Sequence, residues 1–179
     1  SVQLLLRRLG ERPGAPVSNR LRGIPAAWWG MWMAHLGIGI FTIGVTMVGS
    51  LEADLDVKMR EGQSAQMAGY TFTFGGASRI AGPNYDSDKA IITVMRGDRL
   101  IASLTPEKRI YRAQSMPMTE ASIDVGPLRD VYVSLGDQVE PGAYIVSLHY
   151  RPFISWIWAG CILMGLGGIF AAMDRRYRK

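Results

Sequence analysis

Two stretches of this chain carry no formal charge, and they decide what it can fold into. The first is GIPAAWWGMWMAHLGIGIFTIGVTMVGSL, 29 residues between Arg22 and Glu52. The second is PFISWIWAGCILMGLGGIFAAM, 22 residues between Arg151 and Asp174. A bilayer core of about 30 Å needs about 20 apolar residues in a helix, so each stretch predicts a transmembrane span. Trp28, Trp29 and Trp32 in the first, and Trp156 and Trp158 in the second, suit the membrane–water interface. Two buried core helices are the competing explanation, but charge-free windows this long are rare in soluble domains. Neither is a signal peptide, since the first is too long and the second lies at the wrong end.

The overall composition hides this division. The 179 residues are 48% hydrophobic, which excludes a disordered chain, and the single Cys excludes a disulfide scaffold. Residues 1–22 hold five Arg and one Glu, residues 52–151 hold 11 basic and 13 acidic residues, and residues 174–179 hold four basic and one acidic. The net +5 therefore lies wholly in the two ends. The positive-inside rule then places both termini in the cytoplasm and residues 52–151 in the periplasm of a bacterium, or an equivalent compartment. The basic excess is an orientation signal and does not point to nucleic acid.

The segment between the spans reads as β structure. Leu51, Ala53, Leu55, Val57 and Met59 alternate with polar residues, and Tyr70, Phe72 and Phe74 alternate with Thr71 and Thr73. KAIITVMR, RLIASL, MTEASIDV, DVYVSL and AYIVSLHY follow, separated by Gly and Pro. Gly97-Asp98 between two such runs predicts a two-residue type II′ hairpin. The same residues complete an Arg-Gly-Asp tripeptide (Arg96 to Asp98), which spells a cell-adhesion motif but is far better explained as the turn. The expected fold is a membrane protein of α plus β type. Two transmembrane helices (23–51 and 152–173) flank an all-β periplasmic domain (52–151) of about seven or eight short antiparallel strands, a small barrel or sandwich. Basic cytoplasmic segments, 1–22 and 174–179, close the two ends.

No soluble catalytic constellation is present: there is no Gly-rich phosphate loop, His-x-x-x-His pair or Cys-x-x-Cys. Cys161 falls in a stripe with Gly165, Gly168 and Ala172, which reads as a helix-packing face. His149, at the end of a strand pattern, reads as a solvated side chain. His35 is different because it lies inside the first span, where an ionisable residue is costly and a functional candidate by default. Its helical face continues through Gly39, Thr42, Thr46 and Gly49, a stripe of small and weakly polar residues unsuited to lipid. A glycine one turn away leaves room for a flat macrocycle, and His is a common axial ligand of haem iron. From the residues alone, a metal or haem ligand, an interhelical hydrogen bond and a proton relay all stay open.

Several ordered motifs resemble the C-terminal part of the CcmF family of cytochrome c maturation proteins. They are Trp29–Met31 with Ala34–Gly37, Pro106–Tyr111, Met116–Ala121, Asp130–Gly136, Tyr150–Gly160 and Asp174–Tyr177. Together they cover nearly the whole chain. The resemblance implies the large inner-membrane subunit of a bacterial haem lyase (holocytochrome c synthetase), a multi-pass protein. It implies partners as well: a periplasmic haem chaperone, and subunits that hold the apocytochrome while haem is joined to its Cys-x-x-Cys-His site by two thioether bonds. It also implies an intramembrane haem b on two transmembrane histidines, proposed to carry electrons from quinol to the incoming haem. His35 matches the second of these histidines, as an axial ligand to the haem iron. Gly39, Thr42, Trp28 and Trp32 are weaker candidates for the haem face.

Other family features are not in this sequence. The Trp-rich haem-handling motif, the two external histidines and the partner transmembrane histidine are missing, so the second axial ligand is expected outside this segment. The chain starts at Ser1, and SVQLLLRRLG reads like the tail of an earlier span. A truncated piece or the C-terminal product of a split protein is expected, one that is not active as a lyase alone. Two other functions compete with this one. One is a membrane-anchored β module that docks assembly partners, with His35 bonded to a neighbouring helix. The other is a transporter segment in which His35 relays protons.

Overall fold

A computed structural model describes residues 25–113 and 116–174. The basic segments 1–22 and 175–179 lie outside the described residues. The chain divides into two compact units, one taking the residues up to Ile43 together with those from Ile157 onward, the other taking Gly44–Trp156.

The first unit is a helix pair. Helix α1 (Ala26–Leu51) follows Pro25, whose fixed φ suits a helix start, and runs through 26 residues with no interior proline. Helix α2 (Ile154–Ala172) has 19 residues. Both are long and apolar enough to cross a membrane. They run antiparallel and meet backbone to backbone. A Cβ added at Gly37 would stand 2.8 Å from the Gly160 carbonyl oxygen and 2.8 Å from Met164, and one at Gly30 would collide with Gly167 and Ala171. Gly30 and Gly37 are seven residues apart, as are Gly160 and Gly167, so the small positions stay on one seam along both helices.

The seam corrects one expectation. Cys161, Gly165, Gly168 and Ala172 do not form the packing face. Cys161 is exposed, and nothing lies within 4 Å of a Cβ added at Gly165 or Gly168. The packed face is the neighbouring one, Gly160, Met164, Gly167 and Ala171. Small residues occupy both faces of α2, so spacing within α2 could not choose between them. The match to Gly30 and Gly37 on α1 does.

The second unit is an antiparallel β-sandwich. Its strands are β1 (Ala53–Arg60), β2 (Ser64–Met67), β3 (Tyr70–Ala81), β4 (Tyr85–Arg96), β5 (Arg99–Leu104), β6 (Glu107–Tyr111), β7 (Pro117–Glu120), β8 (Ser122–Val125), β9 (Arg129–Glu140) and β10 (Ala143–Pro152). One sheet has the order β1-β10-β9-β8, and the other β2-β3-β4-β6-β7 with β5 also paired to β4. Phe72, Phe74, Ile92 and Val94 from one sheet and Val131, Val133, Leu135, Val146 and Leu148 from the other are almost fully buried between them. The alternation expected from Ala53 to Met59 turns the same face of β1 inward, while Leu51 ends α1 instead.

Ten strands are described against the seven or eight expected. MTEASIDV breaks at Ala121 into β7, paired with β6 in one sheet, and β8, paired with β9 in the other. The strands Ser64–Met67 and Glu107–Tyr111 lack a strong apolar alternation and are held by their neighbours' register. The hairpin at Gly97-Asp98 is as expected: Arg96 pairs with Arg99, and Gly97 has φ +57 while Asp98 does not have a positive φ. That combination is the type II′ pattern.

Candidate functional site

Helix α1 presents two opposite faces. One is the glycine seam. The other carries Trp28, Trp32, His35, Gly39 and Thr42, spaced alternately four and three residues apart, which keeps them in one stripe. The structure therefore brings all five candidate residues onto one side of one helix, away from α2. His35, Gly39, Thr42 and Trp32 are exposed there, and Trp28 is half-buried. The rings of Trp28 and Trp32 lie 5.8 Å apart, tilted against each other. Nothing occupies the 4 Å around a Cβ added at Gly39, so the helix surface beside His35 is flat and open.

The imidazole is oriented by its own helix. His35 Nδ1 lies 2.7 Å from the carbonyl oxygen of Met31, one turn back. A carbonyl can only accept, so Nδ1 carries the hydrogen, and in the neutral ring Nε2 is left with the free lone pair. Thr42 ties back in the same way, its hydroxyl donating to the Ile38 carbonyl at 2.8 Å. Both polar side chains on the face have thus satisfied one hydrogen bond within α1, and neither bonds to α2. The face offers a single strong donor atom, Nε2 of His35. No group of three or more His, Cys, Asp or Glu that could hold a metal ion exists among the described residues.

The other histidine belongs to the sandwich; it is partly exposed near the end of its strand, and it has partners there that the sequence does not show. His149 on β10 pairs in register with Asp54 on β1 and Tyr132 on β9. Its Nδ1 is 2.6 Å from the Asp54 carboxylate, and its ring stacks on Tyr132 with centroids 4.4 Å apart. Arg151 reaches the same carboxylate at 2.9 Å. The hydrogen bond from Arg151, joined by that of His149, holds the Asp54 carboxyl below its usual range although desolvation pushes the other way. Sequence reasoning missed this cluster because its members meet only through strand register, and no local pattern encodes which residue of β1 faces which of β10.

The sandwich itself decides the family. Residues 50–152 match the family described as the CcmF C-terminal beta-sandwich. The chain belongs to the CcmF family. The cytochrome c-type biogenesis protein CcmF of Pseudomonas aeruginosa is 50% identical over 157 residues, which is 88% of this chain and 24% of that protein. CcmF of Escherichia coli is 41% identical over 153 residues, 86% of this chain and 24% of its own length. The cytochrome c-type biogenesis protein ccl1 of Rhodobacter capsulatus is 43% identical over 175 residues, 96% of this chain and 26% of its own. A solved structure titled cytochrome c heme lyase CcmF shares the fold, with a TM-score of 0.69 over 96% of this chain and 28% of that one, at 16% identity. The chain thus spans about a quarter of the length of the CcmF relatives it matches.

Proposed function

We propose that this chain is the C-terminal part of a membrane haem lyase that attaches haem to apocytochrome c, and that His35 is one axial ligand of a haem b within the membrane. The observation that carries this reading is the state of the imidazole. Nδ1 is tied to Met31, Nε2 is free, and the helix beside it is left flat by Gly39. An axial histidine needs one nitrogen free and the other held by a hydrogen bond that fixes the ring. A neutral imidazole also adds no charge to a low-dielectric site.

The residues present fit one half of a haem site. His35 would hold the iron, Gly39 would let the macrocycle approach, and Thr42, Trp28 and Trp32 would line its edge. The chemistry that a haem b supplies when bound is one-electron transfer, here toward the haem to be attached and drawing on quinol. The part of α1 is to fix the ring: the Met31 carbonyl keeps the hydrogen on Nδ1 so that Nε2 stays a ligand. The second axial histidine belongs to the remainder of a CcmF-length protein, which also covers the stripe of α1 that α2 leaves open.

In this reading α1 and α2 cross the bacterial inner membrane, both ends of the chain are cytoplasmic and residues 52–151 are periplasmic. The sandwich shapes the external site or docks the haem chaperone and the subunits that hold the apocytochrome. Lyase activity requires the rest of the protein. The test is the haem content of the purified full-length protein carrying His35→Ala. Haem retention falls sharply if His35 is a ligand. Unchanged content would leave the chain a docking module.

A further inference from the structure

One end of the sandwich gathers arginines that the proposed haem chemistry does not use. Arg96 and Arg99 flank the β4–β5 turn, and Arg129 opens β9; together they line an open depression of about 430 Å³ with Tyr70 in its wall. Arg96 and Arg129 stand 5.5 and 5.4 Å from the centroid of the same Tyr70 ring. Arg129 donates to the Tyr70 hydroxyl at 3.1 Å and pairs with Asp124. Arg96 and Arg99 have no ion pair among the described residues. The lining thus carries three guanidiniums against one carboxylate. Guanidiniums crowded about one ring repel each other unless an anion joins them, and a phosphate accepts their forked donors well.

The rim of the depression is apolar. Leu100, Val125 and Leu128 line it with more than half of each residue exposed. The β8–β9 loop, which supplies Leu128 and follows Val125 at the end of β8, is stapled to the start of α2. Phe153 N donates to the Leu128 carbonyl at 2.9 Å, Ser155 Oγ to Gly126 at 3.0 Å and Trp156 Nε1 to Pro127 at 3.0 Å. The loop therefore lies where the chain enters its second apolar helix. Arginine beside exposed aliphatic side chains, at the mouth of a span, is the composition of a surface that meets phosphate and acyl chain together.

We propose that this depression is a phospholipid-headgroup site, in which Arg96, Arg99 and Arg129 take the phosphate and Leu100, Val125 and Leu128 enter the acyl border. The proposal rests on the reading that α2 spans the membrane. It gives the Arg-Gly-Asp turn a role in holding two of the three cations at the rim.

The delipidated full-length protein in detergent is titrated with phosphatidylglycerol and, separately, with inorganic phosphate, and bound molecules are counted by native mass spectrometry. Phosphatidylglycerol binds, and the double variant R96Q/R99Q weakens it roughly tenfold or more, the loss expected for charge-assisted hydrogen bonds. Arg112→Gln, whose side chain pairs with Asp86 at the opposite end of β4, leaves binding unchanged. Equal lipid retention by R96Q/R99Q overturns the site, and so does inorganic phosphate binding as tightly as the lipid. The two positions are exposed, and an unchanged circular dichroism melt shows that the variant is folded; Arg99→Gln alone carries the test otherwise. Release of the wild type from membranes by alkaline carbonate would instead overturn the membrane-spanning reading itself.

Discussion

Gly37 and Gly160 touch through their backbones, each filling the space where the other's side chain would stand. This contact sets which face of α1 is spent on α2 and which is left for something else. Gly37 and Gly39 are two residues apart and face nearly opposite ways, so they should fail differently. Gly37→Val forces the helices apart and costs about 1–3 kcal/mol, as overpacking of a close contact does. The thermal midpoint of the full-length protein in detergent should fall. Gly39→Val meets nothing on α2, so it should leave the α1–α2 seam intact and show itself instead as lowered haem retention.

The β2–β3 hairpin carries a correctable strain. Ala68 has φ +51 and Gly69 has φ +77, the paired left-handed conformations of a type I′ turn. A side chain with a β-carbon pays about 1–2 kcal/mol there, and Gly or Asn much less. Ala68→Gly and Ala68→Asn should each raise the stability of the sandwich by roughly 1 kcal/mol, net of the chain entropy that Gly adds to the unfolded state. Urea denaturation followed by the β-sheet band of the far-ultraviolet circular dichroism measures it, because all five tryptophans lie in α1 and α2.

Phe72 lies at the centre of the inter-sheet core with no exposed surface. Phe72→Ala removes a large side chain from a site with facing strands on both sides and should destabilise the sandwich by about 3–5 kcal/mol. The same urea experiment measures the loss.

Glu107 ties β6 to β4 through Lys89 at 3.1 Å and also bonds Arg109 at 3.0 Å. Burial pushes its carboxyl up, but the hydrogen bonds from Arg109 and Lys89 outweigh it, and the net movement is downward. A carboxyl with a depressed value in the folded state stabilises the fold above its ordinary value of about 4.3 and loses that contribution as pH falls below it. The urea midpoint should therefore be flat near neutral pH and decline in the acid range. Glu107→Gln should start lower at neutral pH and decline less steeply.

The broad architecture was legible because each part of it follows from a local pattern. Charge-free windows gave α1 and α2, alternation gave β1, β3 and β9, and Gly97-Asp98 gave its turn. What escaped depends on pairing between distant segments. Ala121 passes the chain from one sheet to the other, yet nothing in MTEASIDV marks the crossing. The Asp54–His149–Tyr132 cluster exists only once β1, β10 and β9 are in register. On α2 the small residues at Gly165 and Gly168 were as suitable for packing as Gly160 and Gly167, and only the partner helix distinguishes them. The candidate face of α1 was readable because a single helix fixes it, and its tautomer was not, because the Met31 carbonyl acts through geometry.

If the Nε2 atom of His35 binds haem iron, the optical difference spectrum of the full-length protein, reduced minus oxidised, depends on that side chain. Wild type should show a b-type signature, and His35→Gln, which keeps a hydrogen-bonding side chain but no imidazole, should lose it. A His35→Gln protein with the wild-type spectrum and haem content would show that His35 is not a haem ligand.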